Sequence, residues 1–366
     1  MNRSILLPLF AMAVLAACAE QPMVMDYFPG KHQEQKQEQQ QKQPGSSVED
    51  IVWPQPPDVP RYRYAGQLQG EGNFSPDEEH QPGAGEKFLR WLVGLAQSNT
   101  EPRQLVRPQS GMVGTDGRIY VTDVGYKAVF VFDADNGKLS IWDKADELGE
   151  FVSPIGIAPG IAGEILVADS VLARVVRLDS EGNPQGSIGA DVLERPTGLA
   201  VDPATGNIYV ADTLAHDIKY FDPNGQLIKT IGRRGTEPGE FNAPTFLCIA
   251  HGKLYVSDTL NTRVQILTLN GEPLDSIGQR GLYVGNLSRP KGITVDDEGN
   301  IYIVESFYDH LLVFNAEGEY LMSIGGSGGG LGDFFLPSGV WSDAQNRIFT
   351  ADMFNGRIII VQYLGE

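Results

Sequence analysis

One short motif returns six times along the 366 residues and limits what the chain can fold into more than any other feature. The copies read GRIYVTD, GEILVAD, GNIYVAD, GKLYVSD, GNIYIVE and NRIFTAD, and they end on Asp123, Asp169, Asp212, Asp258, Glu305 and Asp352. Successive acids lie 46, 43, 46, 47 and 47 residues apart. A period of this size signals one supersecondary unit repeated in register, each copy burying its apolar face against its neighbours. Such a period excludes a doubly wound nucleotide-binding domain and a barrel of eight βα units.

Each copy is a run of short alternating segments. In the third, TGLAVDPATGNIYVADT gives a strand, a Gly-Asn turn and a second strand, and HDIKYFDPNGQLIKTIG gives a third strand, an Asn-Gly turn and a fourth. Period-2 runs rich in Val, Ile and Tyr between Asn, Asp and Gly are hairpin signals, and no helical period interrupts them. Four antiparallel strands repeated radially six times predict an all-β, six-bladed β-propeller. A proline opens each unit, at Pro108, Pro154, Pro196, Pro244, Pro290 and Pro337. Three homologous connectors precede the last three, IGRRGTEPGEFNAP, IGQRGLYVGNLSRP and IGGSGGGLGDFFLP. The third looks like a phosphate cradle only in isolation, because it leads into a strand and so offers no helix N-terminus to an anion.

Ring closure is also written in the chain. The last repeat ends at Tyr363, one strand short, and RYRYAGQLQGEGNF (61–74) has the form of the missing fourth strand plus the start of a connector. The N-terminal part is therefore expected to complete blade six and remove an open edge. An insertion over about 75–105 interrupts that connector. Within it, EKFLRWLVGLA (86–96) is an apolar helix candidate with too little polar face to stand free in water, expected to pack over one mouth or on the side between blades six and one.

RPTGLAVDPATGNIYVADT (195–213) and SDTLNTRVQIL (257–267) resemble NHL repeats, and the resemblance recurs in register over about 61–366. VWPQPPDVPRYRY is similar to the entry of a group of uncharacterised bacterial NHL-repeat lipoproteins. The resemblance implies a six-bladed propeller and leaves function open, since NHL propellers include binding modules, sensor domains and relatives of lyases and lactonases.

The start, MNRSILLPLFAMAVLAAC, has one Arg, a short apolar core and small residues before Cys18. It reads as a signal peptide over 1–17, and Leu15-Ala16-Ala17-Cys18 looks like a lipobox whose cysteine is acylated. Ala19 after that cysteine points to the outer membrane of a Gram-negative host. Residues 18–60, with KHQEQKQEQQQKQ at 31–43 and a Pro-rich continuation, are expected to form a disordered tether. Cys248 in TFLCIAHG then has no disulfide partner and reads as a small buried hydrophobe. The net charge of −19 argues against nucleic acid, whose binders need clustered Lys and Arg, and is compatible with a basic partner.

Candidate chemistry is sparse. In the repeat consensus an Arg follows the acid by five residues, so Asp169–Arg174, Asp258–Arg263 and Asp352–Arg357 are expected as framework pairs. Blades one, three and five carry Ala128, Asp217 and His310 instead. A ligand or metal face adapted from the framework would therefore use Asp123, His216, Asp217, Glu305, Asp309 and His310. No cofactor is expected, no metal is firmly assigned, and the Asp-rich turns DADNG, DPATGN and DDEGN lack the calcium-loop pattern. The expectation is an anchored extracytoplasmic propeller holding an envelope protein or peptide, attached to the bilayer through the Cys18 acyl chains. The alternatives are a metal-dependent lyase or lactonase working in the central channel, and a structural spacer.

Overall fold

The computed structural model describes residues 23–28, 51–76, 101–281, 283 and 285–365. Six antiparallel sheets follow one another around a ring. Blade three is typical, pairing Pro196–Val201, Ile208–Asp212, Asp217–Phe221 and Leu227–Ile231 in sequence order. Its register sets Pro196 against Asp212 and Asp212 against Asp217 at one end, and Val201 against Ile208 at the other. Inter-blade connectors and the turns after each acid therefore share one side of the disc, called here the connector side. The two hairpin turns of each blade share the opposite side.

Blade six closes the ring as the sequence predicts. Tyr62–Leu68 pairs antiparallel with Arg357–Tyr363, with Tyr62 opposite Tyr363 and Leu68 opposite Ile358. The sheet carries a fifth strand, Val52–Trp53, on its outer edge. Met23–Met25 pairs with Phe74–Pro76 beside blade one, and the Tyr27 carbonyl accepts the Gln67 amide at 2.7 Å. These two stretches correct the expectation of an unbroken tether over 18–60. Their apolar residues explain the difference: Met25, Tyr27 and Phe74 pack on one inter-blade core, Phe28, Ile51 and Trp53 on the next. The signal peptide, Cys18, the Gln-rich tract and the helix candidate 86–96 lie outside the described residues.

The core is divided among the blade interfaces. Tyr120, Val129 and Val131 of blade one meet Ile157, Val167 and Val176 of blade two, and equivalent clusters fill the other five interfaces. Each connector drives one apolar residue into its interface, with Phe241 and Phe334 fully buried. Burial of such a side chain contributes roughly 1.5–3 kcal/mol, so each connector is pinned to the blades at one point. At the hub, the first strands of neighbouring blades nearly touch. A Cβ on Gly198 would lie 2.4 Å from the Thr245 carbonyl oxygen, and one on Gly156 would lie 2.2 Å from that of Thr197. Glycine stands at this position in blades two, three, five and six, at Gly156, Gly198, Gly292 and Gly339, and blade one has the small Ser110. Blade four breaks the rule with Phe246, which is buried among blade four and five residues.

Candidate functional site

The six repeated acids hold the fold together. All are between 0 and 1% exposed, and each accepts backbone N–H groups from the connector just ahead of its own blade. Asp212 takes the Glu194 and Arg195 amides at 2.8 Å, and Asp123 takes Val106 at 2.6 Å. Glu305 takes Ser288 at 2.7 Å and Arg289 at 2.9 Å, and Asp352 takes Phe335 at 2.7 Å. A buried amide left unpaired costs about 1–3 kcal/mol, which accounts for an acid in every blade. The carboxylates of Asp123 and Glu305 are thus committed to the connectors ahead of their blades.

Two framework pairs are present: Arg263 Nε lies 2.9 Å from Asp258 and Arg357 Nε lies 2.8 Å from Asp352. Asp169–Arg174 is corrected. Both Asp169 oxygens are engaged by the amides of Val152, Ser153, Val171 and Leu172, and Arg174 turns outward to Asp146 at 2.7 Å. Where the arginine is absent, the site residues part company. Asp217 pairs with Lys219 at 2.6 Å, and burial raises its carboxyl above the ordinary range although Lys219 works against that.

His216 and Asp309 occupy equivalent positions, four residues after the acid, both in the left-handed region at φ 60° and 58°. They also do the same task. His216 Nδ1 accepts the Ala243 amide at 3.0 Å, and Asp309 accepts that of Leu336 at 2.7 Å, each just ahead of the next blade's proline. His310 Nδ1 contacts the Tyr308 carbonyl. His251 lies on the hairpin side, 3.1 Å from the Asp296 carbonyl. Among the described residues, no three His, Cys, Asp or Glu side chains group as metal ligands, and blade four separates His216 from His310.

The channel is narrow and apolar. A cavity of about 170 Å³ is lined by residues such as Ile157, Leu199, Phe246, Leu247, Ile293 and Trp341. Cys248 lies on this wall, and burial pushes its thiol up to about 11, an unreactive state. At the connector-side mouth stands Lys291, whose ammonium is pushed down to about 8 by burial and then by Arg289 and Arg195.

Around that mouth runs a feature that sequence reasoning missed. Two residues after the acid, blades two to six present Val171, Leu214, Leu260, Phe307 and Phe354, exposed by 63, 57, 62, 62 and 52%. Blade one has Gly125 there, with Tyr126 39% exposed beside it. The signal was available as an apolar residue at one fixed offset in five repeats, hidden because the turn around it varies.

A family model described as a 6-bladed beta-propeller matches residues 285–363. NHL repeat-containing protein 3 of Homo sapiens is 30% identical over 155 residues, which are 40% of this chain and 43% of that protein. Its Mus musculus counterpart is 33% identical over 147 residues, 37% of this chain and 40% of that protein. The chain thus spans about two-fifths of the length of these curated relatives. Among solved structures, virginiamycin B lyase from Staphylococcus aureus matches with TM-score 0.52 at 15% identity, covering 71% of this chain and 96% of that one. A gluconolactonase from Xanthomonas campestris matches with TM-score 0.54 at 16% identity, covering 74% and 92%. Identities this low speak for the fold alone. By architecture and by repeat, the chain is a six-bladed β-propeller with NHL repeat-containing homologues.

Proposed function

We propose that this chain is an extracytoplasmic binding propeller, anchored through an acylated Cys18, which holds a protein or peptide partner on its connector side. The collar of exposed apolar residues at one offset in five blades carries this reading. Apolar groups gathered on one face mark interaction surfaces, whereas isolated ones do not. The hairpin side is built instead from polar turns such as DPATGN and DDEGN. The partner's chemistry follows from charge: a chain at −19 favours a basic protein.

The competing enzyme reading needs a metal. Elemental analysis by mass spectrometry of the full chain, purified without chelator, tests it. The binding reading predicts substoichiometric zinc and calcium. Stoichiometric metal that disappears in a His216→Ala/His310→Ala double variant contradicts it and favours a lyase or lactonase.

A further inference from the structure

Blades four, five and six share a long homologous connector, and in two of them an arginine is threaded beneath it. In blade four, Arg263 Nη2 donates to the carbonyls of Glu237 and Glu240, each at 3.0 Å, while its Nε holds Asp258. In blade six, Arg357 Nη2 donates to the carbonyls of Gly330 and Asp333 at 2.7 and 2.9 Å, while its Nε holds Asp352. Each is a slot for one planar guanidinium, built from a buried carboxylate and two carbonyls.

Blade five keeps the slot and lacks the arginine. Its connector makes the same turn: the Asn286 amide donates to the Tyr283 carbonyl at 3.0 Å, as Glu240 does to Glu237 at 2.9 Å. The carbonyls of Tyr283 and Asn286 therefore correspond to the two that hold Arg263. Glu305 stands at the position of Asp258, but its two oxygens accept the Ser288, Arg289 and Phe307 amides. It therefore faces the cavity as a fixed negative charge, while the two carbonyls are left to receive the donors. His310 replaces the arginine, and Leu312 replaces Gln265, which in blade four donates to both the Glu240 carbonyl and Asp258. A cavity of about 100 Å³ remains between His310, Tyr308, Glu305 and the connector. Blades one and three have shorter or different entries, so among the described residues this vacancy occurs once.

We infer that the blade-five cavity is a guanidinium site, which takes an arginine side chain of the partner held on the connector side. The apolar lining from Leu312 and Tyr308 suits the arginine's methylene stem, and the aromatic rings suit a cation. Burial raises the Glu305 carboxyl above its ordinary value, against the opposing pull of the Arg289, Ser288 and Phe307 amides and of His310; a bound guanidinium would add a further countercharge. Phe307, of the collar, adjoins Tyr308 at 5.0 Å between ring centroids, so an arginine in the slot sits beside the apolar ring. The step from guanidinium to a partner's arginine rests on the binding reading above; the slot itself does not.

The test is ligand-observed NMR on the full chain with Nα-acetylarginine amide, its citrulline analogue as the neutral isostere, and the variants His310→Arg and Glu305→Gln. The arginine compound should bind at concentrations on the order of millimolar, the citrulline compound about tenfold or more weaker. His310→Arg should abolish binding and raise the melting temperature, because it supplies the guanidinium in cis. Equal binding of the two compounds, retained binding in His310→Arg, or no binding to the parent chain overturns the inference. Should Glu305→Gln unfold, His310→Arg still decides. Loss of the slot with a partner still captured on the collar removes this inference alone. Arginine binding without any partner on the collar removes the binding reading and leaves the slot.

Discussion

Lys291 shows how little room the hub leaves for a charge. Its ammonium is desolvated and faces Arg289 and Arg195, so its folded value, about 8, lies below the ordinary 10.5. Below pH 8 it is charged in both states, and the folded state bears the cost. Between about 8 and 10.5 the folded state releases its proton while the unfolded chain keeps one, so stability rises with pH across that window. Lys291→Met should therefore melt higher than the parent at pH 7, with the gap closing as pH approaches 10.5. Melting curves at a series of pH values check this, and a gap independent of pH would contradict it. At this scale the sequence was partly legible. The six acids were visible because they recur, but their partners were not, since backbone amides carry no side-chain signature. Arg174 looked identical to Arg263 and Arg357, yet it pairs with Asp146 of its own connector while four amides occupy Asp169. His216 read as a ligand because histidine suggests metals; in the fold it serves as a hydrogen-bond acceptor where blade five uses Asp309.

At the scale of the element, the first strand of each blade is the most constrained. Gly198 has room for no side chain, since a Cβ there meets the Thr245 carbonyl oxygen at 2.4 Å and the Phe246 Cα at 2.7 Å. Gly198→Ala should cost about 1–3 kcal/mol, the usual penalty for overpacking a rigid site, measured by denaturant unfolding. A neutral result would show that the hub can widen. Strands and turns were legible because hairpin chemistry is local: Gly and Asn at the turns and alternation between them suffice. The strap at 23–28 and the edge strand at 52–53 were not. Met25, Tyr27, Phe28, Ile51 and Trp53 carry no period, and only the grooves between blades six and one and between blades five and six give them places.

At the scale of the whole molecule, the ring is closed by chain segments almost 300 residues apart, Tyr62–Leu68 against Arg357–Tyr363. Closure covers the edge of blade six and makes the six interfaces equivalent, which is why the disc can be reasoned about blade by blade. The sequence disclosed this through a count, one strand too few at the end and one spare near the start. The collar is different in kind, because it exists only when six turns are brought to one side. Its residues surround a mouth that is narrow and apolar behind, with Lys291, Arg289 and Arg195 at the rim, and under the binding reading they are the surface that the partner covers. Site-specific photo-crosslinking in cells that produce the protein tests that claim most directly. A photoreactive residue is placed at Leu260 or Phe354 on the collar, and at Asn224 or Glu317 on the hairpin side. One discrete adduct, shared by both collar positions and absent from both hairpin positions, is the predicted result. Adducts from the hairpin side alone, or none above background from the collar, would contradict the account.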